Sequence, residues 1–253
     1  MSSDSIFLPT MKEGYTYLQS FLRGKEPSSC FLIFAQGRTG TWLMHHFLNT
    51  HPSIACEKEI LMSPKWLPIR YVQKKSQLIG GKIYGCHVQI NQLLQTQSIP
   101  PSSFLRQLNT LGWKIIYMRR KDIVRQSISN LLANHRQQWY TYDLKEVNAQ
   151  PIQIDIPNLT AWLERRVNHN QIEAANLQQL PHLEVIYEED LKDANKHQST
   201  MDKVFDFLEV ESIPVVAKTK KLSNNNLRNV ISNYDGLLFF LEDSGYSKYT
   251  DLC

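Results

Sequence analysis

What this chain lacks narrows its function first. No apolar run approaches the roughly 18–20 residues that a bilayer-spanning helix needs, so no membrane span is expected. The stretch from Met1 to Gly14 contains Asp4, Lys12 and Glu13 and only a short apolar patch, which does not fit a secretory leader. Cysteine is scarce: Cys30, Cys56, Cys86 and Cys253 form no C-x-x-C pair and fall in no zinc-like spacing with histidine. Cys30 and Cys86 lie in strand-like runs and read as small core residues, and free thiols favour a reducing, cytoplasmic setting. Asn158-Leu159-Thr160 fits a glycosylation acceptor, but nothing else points to secretion. There is no internal repeat and no low-complexity tract. Neither sign of charge dominates: 28 Lys and Arg against 24 Asp and Glu leave a net charge of +4. That is too mild for a nucleic-acid partner, whose footprint is a clustered basic face, but it suits a small polyanionic ligand.

What is present is an ordinary globular composition, 42% hydrophobic and 21% charged. A length of 253 residues suits one α/β domain across 1–253, with its core over about 28–250. Short apolar runs predict strands at Cys30–Gln36, Ile54–Cys56, Lys82–Val88, Lys114–Met118 and Leu183–Tyr187. Helical spacing or helix punctuation predicts helices at Thr41–Leu48, Pro101–Leu111, Asp122–Asn134, Asn158–Leu180, Ser199–Leu208 and Asn226–Asp235. Gln137–Pro157 and the Lys-rich Val210–Ser223 read as loops. Strands alternating with helices predict an α/β fold with a P-loop-like central parallel sheet flanked by helices on both faces.

The segment Gln36-Gly37-Arg38-Thr39-Gly40-Thr41-Trp42 joins the first strand to a helix. Gly37 and Gly40 permit a tight turn, and the loop N–H groups with the helix dipole behind them make an anion site. Arg38 adds a permanent forked cation, and Thr39 and Thr41 add hydroxyls. The segment is not a Walker A loop, because its glycines are too close together and its lysine is missing. The strand at 114–118 is followed by Arg119-Arg120 rather than by the aspartate that holds magnesium in P-loop NTPases. An anion loop of this kind suits a nucleotide whose transferred group carries less charge than a phosphoryl group, such as a sulfuryl group.

The second motif runs from Lys114 to Ser129. Arg119 and Arg120 stand at a strand's carboxyl end, where open α/β sheets bind ligands. Alternation sends them to opposite faces, so one can bind while the other is structural. Ser127 falls on the apolar stripe of Ile123, Val124, Ile128 and Leu131 and should face inward, whereas Ser129 lies roughly 200° round the helix from it. An inward serine needs a partner, and a ligand phosphate can be the partner of Ser127.

Together these motifs resemble the family of sulfotransferases that use 3′-phosphoadenosine 5′-phosphosulfate (PAPS) and release PAP. FAQGRTGTWL is similar to that family's 5′-phosphosulfate loop. KIIYMRRKDIVRQSIS is similar to its 3′-phosphate segment, and LEVIYEEDL and LRNVISNYDGL to its later segments. The likeness spans most of residues 30–240 and is greatest to the bacterial trehalose sulfotransferase type. Arg119-Arg120, Asp122, Gln126, Ser129 and Trp139 match that branch, as do Tyr84-Gly85, Asn91-Gln92-Leu93 and the Glu57/Glu59 pair. His87 stands where the branch has lysine.

The resemblance implies a metal-free transferase that moves a sulfuryl group from PAPS to a hydroxyl of a carbohydrate or other small molecule. Gly37, Arg38, Thr39, Gly40, Thr41 and Trp42 would hold the phosphosulfate, with Arg38 also stabilising the leaving phosphate. Arg119 or Arg120, with Ser127 or Ser129, would hold the 3′-phosphate. Glu59, Glu57 and His87 are the candidate general bases: Glu59 by its offset from Arg38, Glu57 two residues away on the same side if the chain stays extended, and His87 from the neighbouring strand. Lys218, Lys220 and Lys221 are candidates to reach the nucleotide, and Trp66, Trp139, Tyr140 and Tyr142 to stack on a sugar. A homodimer is compatible with the sequence. Two other functions fit less of it: a P-loop nucleotide kinase, which lacks its lysine and magnesium carboxylate here, and a non-catalytic nucleotide-binding protein.

Overall fold

A computed structural model describes residues 11–137, 150–217 and 227–252. Five strands form one sheet: β1 (Ser29–Ala35), β2 (Ile54–Glu57), β3 (Ile83–Val88), β4 (Lys114–Arg119) and β5 (Leu183–Ile186). Every pairing is parallel, and the strand order is β2-β3-β1-β4-β5. The chain leaves β1 for β2 and β3 on one side, then crosses to β4 on the other. The carboxyl end of β1 therefore lies at a switch point, where open sheets form their ligand crevice.

Among the described residues, eight α-helices surround the sheet: α1 (Met11–Arg23), α2 (Thr41–Thr50), α3 (Pro68–Gln77), α4 (Pro101–Thr110), α5 (Ile123–Arg136), α6 (Ile156–Leu177), α7 (His197–Phe207) and α8 (Tyr234–Asp243). The alternation of β1 explains the two layers. Phe31, Ile33 and Ala35 join a core with Met44 and Phe47 of α2 and Met201 and Phe205 of α7. Leu32 and Phe34 face the opposite core, with Val72 of α3, Phe104 and Leu108 of α4 and Leu177 of α6. A third cluster packs α5, α6 and α8 together around Ile128, Leu163 and Leu237. Each of the larger side chains among these contributes about 1.5–3 kcal/mol by leaving water. Gly85 pairs in register with Phe31. A Cβ at Gly85 would lie 2.0 Å from the Phe31 ring, so glycine there makes room for the central aromatic.

The expected parallel sheet with helices on both faces is the observed fold. The five predicted strands are present, β5 ending at Ile186 because Tyr187 opens a π-type turn, Tyr187–Leu191. Asp122 caps α5 instead of beginning it, its carboxylate accepting from the Arg125 N–H at 2.7 Å. Asp155 likewise caps α6 and moves its start ahead of Asn158. The helix expected at Asn226–Asp235 does not form. Ile231 makes a parallel bridge with Ile152, and Val230 accepts from the Ile152 N–H at 3.0 Å, which takes this backbone out of any helix. Only the short turn Leu227–Asn229 precedes α8. Cys86 is buried as expected, whereas Cys30 is half-buried.

Two helices escaped the sequence reading. In α1 the polar Glu13, Thr16 and Ser20 are buried, while Met11, Tyr15, Leu18, Phe21 and Leu22 are exposed, the reverse of the usual pattern. Glu13 is held by Tyr17, which donates to it at 3.0 Å, and by the Trp66 N–H at 3.1 Å. In α3, Lys74, Lys75 and polar neighbours mask a short apolar face formed by Tyr71 and Val72. Among the described residues, no helix is long and apolar enough to cross a membrane.

Candidate active site

The loop after β1 is built by local hydrogen bonds and two left-handed residues. Thr39 is buried and donates its hydroxyl to the Gln36 carbonyl at 2.8 Å, closing the turn. Arg38 has φ 70° and Gly40 φ 88°. A Cβ at Gly40 would come within 2.9 Å of the Tyr187 ring, so only glycine allows both this conformation and this approach. Gly40 precedes α2 without a side-chain cap, which leaves the first-turn N–H groups of α2 for another acceptor. Gln126 of α5 fastens the loop from the other side, donating from Nε2 to the Gly37 carbonyl at 2.9 Å.

A cavity of about 410 Å³ opens beside this loop. Gly37, Arg38, Thr41 and Trp42 form one wall. Arg38 donates from Nε and Nη2 to the Ser129 hydroxyl at 3.0 and 2.8 Å. Its pKa is lowered, first by burial and then by the nearby Arg120 charge. Trp42 stacks on His46, their ring centres 5.8 Å apart, and Lys58 lies over the Trp42 ring at 5.3 Å.

Glu59 and His87 stand on another wall. Glu59 has φ 33°, a left-handed conformation that turns the chain after β2 and points its carboxylate differently from that of Glu57. His87 is buried and donates from Nε2 to the Ala35 carbonyl at 3.1 Å, which leaves Nδ1 bare, 3.8 Å from a Glu59 oxygen. Burial lowers the His87 pKa more than Glu59 and the carbonyl raise it, so the imidazole is neutral and the two groups do not form an ion pair. Glu57 is not in the cavity. It accepts from the Tyr84 hydroxyl at 2.5 Å and pairs with Lys75 at 2.7 Å. The condition for Glu57 sharing a side with Glu59, an extended chain, fails at the Glu59 turn.

The two arginines at the end of β4 divide as alternation predicts. Arg119 turns outward to Glu184 across β5. Arg120 is buried beneath the loop, with Nη1 3.5 Å from the Arg38 carbonyl, Nε 3.1 Å from Glu188 and its guanidinium 4.7 Å from the centre of the Tyr187 ring. Ser127 faces inward as expected, but it is fully buried and its hydroxyl has no hydrogen-bond partner. Ser129, half-buried beside Arg38, is the accessible serine.

The sequence reading missed the third wall. Trp162, Arg165, Arg166 and His169 project from α6 into the cavity. They follow helical spacing and share one face, but nothing in that spacing tells a site from a packed face. Arg166 donates to Gln36 Oε1 at 2.8 Å, and Gln36 donates to Glu173 at 3.0 Å. Glu173 also accepts from Tyr117 at 3.1 Å, and burial pushes its carboxyl up to about 7. Of the remaining candidates, Trp66 is exposed and lies outside this cavity. Trp139, Tyr140, Tyr142, Lys218, Lys220 and Lys221 lie outside the described residues.

No protein-family model matches this chain, and no curated protein matches it. Among solved structures, a sulfotransferase from Alicyclobacillus acidocaldarius is similar at 14% identity with a TM-score of 0.49, over 86% of this chain and 92% of that one. The mouse sulfotransferase SULT7A1, solved in complex with PAP, is similar at 14% identity with a TM-score of 0.48, over 80% of this chain and 66% of the mouse chain.

Proposed function

We propose that this chain, as a single domain, transfers a sulfuryl group from PAPS to a hydroxyl of a small-molecule acceptor, releasing PAP, without a metal. The observation that carries the reading is the cavity itself. An uncapped helix N-terminus and Arg38 lie on one wall, and Glu59 is the one carboxylate among the described residues that line it. The first wall suits a leaving phosphate and the second suits a general base.

In this reading the α2 N–H groups and Arg38 neutralise charge that grows on the bridging oxygen as the sulfur–oxygen bond to phosphate breaks. Arg120 and Ser129 hold the 3′-phosphate and so fix the donor. Glu59 takes the acceptor's proton as the new oxygen–sulfur bond forms, then releases it to solvent. Bare Nδ1 of His87 can accept a hydrogen bond from the protonated Glu59 carboxyl, so His87 is a positioning residue in this scheme. Left-handed backbone at both Arg38 and Glu59 is the kind of local strain that gathers at working sites. The trehalose-type likeness belongs to this proposal, but trehalose itself does not.

A kinase reading needs a magnesium carboxylate where Arg119 and Arg120 stand, and a lysine after the second loop glycine, where this chain has Thr41. Calorimetry with PAP, with ATP and with ATP plus Mg²⁺ separates the two. The sulfotransferase reading expects tight PAP binding that survives EDTA, and a preference for ATP–Mg²⁺ overturns it. Incubation with ³⁵S-labelled PAPS and a metabolite extract then tests turnover, since binding without any labelled product supports a non-catalytic protein.

A further inference from the structure

The α6 wall is unused by the donor chemistry, and it is unusually cationic. Among the described residues, Arg38, Lys58, Arg165 and Arg166 line the cavity against the single carboxylate of Glu59. Arg166 is only 5% exposed, and its Nε is buried with no hydrogen-bond partner. Among the described residues neither Arg165 nor Arg166 has a carboxylate at ion-pair distance. A buried guanidinium without a counter-ion carries a large desolvation penalty, so such groups are normally paired. Glu173 is the one acid that acts on Arg166, and it is itself held partly protonated by burial.

The arginines are also held in place. Both guanidinium groups lie over the Trp162 ring, at 4.8 Å for Arg165 and 5.5 Å for Arg166. Contact with the ring holds both side chains; Arg166 spends Nη1 on Gln36 and keeps Nε unbonded, and an arginine's N–H fork is the geometry that grips an oxyanion with two parallel hydrogen bonds. His169, one turn further along the same face, is pushed down to about 4 by burial and by the charges of Arg166 and Arg165.

Resting on the sulfuryl-transfer reading, we propose that the acceptor is itself an anion, a hydroxyl compound whose carboxylate or sulfate group sits on Arg165 and Arg166. The donor's charges already have other seats, at the α2 N-terminus with Arg38 and at Arg120. An anion held on α6 leaves the acceptor's hydroxyl free to face Glu59 in the same cavity. The substrate class is therefore a uronic acid, a sulfated sugar or another hydroxy acid, rather than a neutral sugar.

The test is calorimetry on PAP-saturated protein with matched probes: D-glucuronate and glucose 6-sulfate against D-glucose, and D-glycerate against glycerol. At least one anion should bind about tenfold or more tightly than its neutral parent. Arg165→Met and Arg166→Lys should each remove that preference and leave PAP affinity unchanged. Arg165 is exposed, so its variant keeps the test open if the buried Arg166 variant fails to fold. Equal binding of neutral parents, or no anion binding to the PAP-loaded protein, overturns the proposal. So does a proportionate loss of PAP itself in the variants, since the arginines would then serve the donor. Failure of wild-type protein to bind PAP is a different result: it removes the sulfuryl-transfer reading, and this proposal with it.

Discussion

Arg38 donates two hydrogen bonds to one neutral acceptor, the Ser129 hydroxyl, at 3.0 and 2.8 Å. The pair ties the loop after β1 to α5, and it places a forked cation and an accessible hydroxyl side by side where the nucleotide is proposed to bind. Replacing Arg38 removes both the tie and the charge. Arg38→Ala should weaken PAP by about 1.5–3 kcal/mol, roughly ten- to a hundredfold, as measured by calorimetry in EDTA. Normal PAP affinity in this variant would place the nucleotide elsewhere.

The 3′-phosphate should depend on Arg120 and Ser129, not on Arg119 and Ser127. Arg120→Ala and Ser129→Ala should weaken PAP more than adenosine 5′-phosphosulfate, which lacks that phosphate. Arg119→Ala, which loses only an outward pairing with Glu184, should change either affinity by less than about twofold. If Ser127→Ala rather than Ser129→Ala discriminates the two nucleotides, Ser127 must become accessible when ligand binds.

Glu59→Gln keeps shape but removes basicity. It should lower kcat by about 10²–10⁴-fold with PAP affinity nearly unchanged. Glu57→Gln should leave kcat within about threefold, because Glu57 faces Tyr84 and Lys75 and not the cavity. The assignment fails if Glu59→Gln turns over normally while His87→Asn does not.

Glu173 should make stability depend on pH. Its folded pKa, about 7, lies above the ordinary 4.5 because burial outweighs the help from Gln36, Tyr117 and Arg166. A raised carboxyl pKa means that the folded state prefers the protonated form. The stability it confers is full below about pH 4.5 and falls as pH rises, levelling off above pH 7, by an amount on the order of 3 kcal/mol. Glu173→Gln should flatten this fall, so that urea denaturation shows the variant gaining on wild type between pH 5 and pH 8. Parallel pH profiles for the two proteins would show that Glu173 is already ionised at pH 5.

The parts of this protein that were legible in its sequence are those set by local pattern. Short apolar runs mark strands because a parallel strand covered on both faces is apolar throughout, as in Cys30–Ala35. Glycines between such a run and a helix mark the anion loop, and alternation after β4 foretold that Arg119 and Arg120 diverge. The α1 helix was hidden because its hydrophobic residues face outward and its buried residues are polar, so the usual cue is reversed.

Which side chains meet was decided by the tertiary structure. Gln36 and Arg166 are 130 positions apart and hydrogen-bonded, because α6 packs on the sheet face beside the end of β1. Glu57 and Glu59 are two positions apart and divided, because a left-handed residue turns the chain between their directions. Ser127 and Ser129 share a helix, yet burial of one face seals the first and leaves the second beside Arg38. Sequence periodicity reports which face of an element is buried. What lies against that face depends on strand order and helix packing, which bring together residues far apart along the chain.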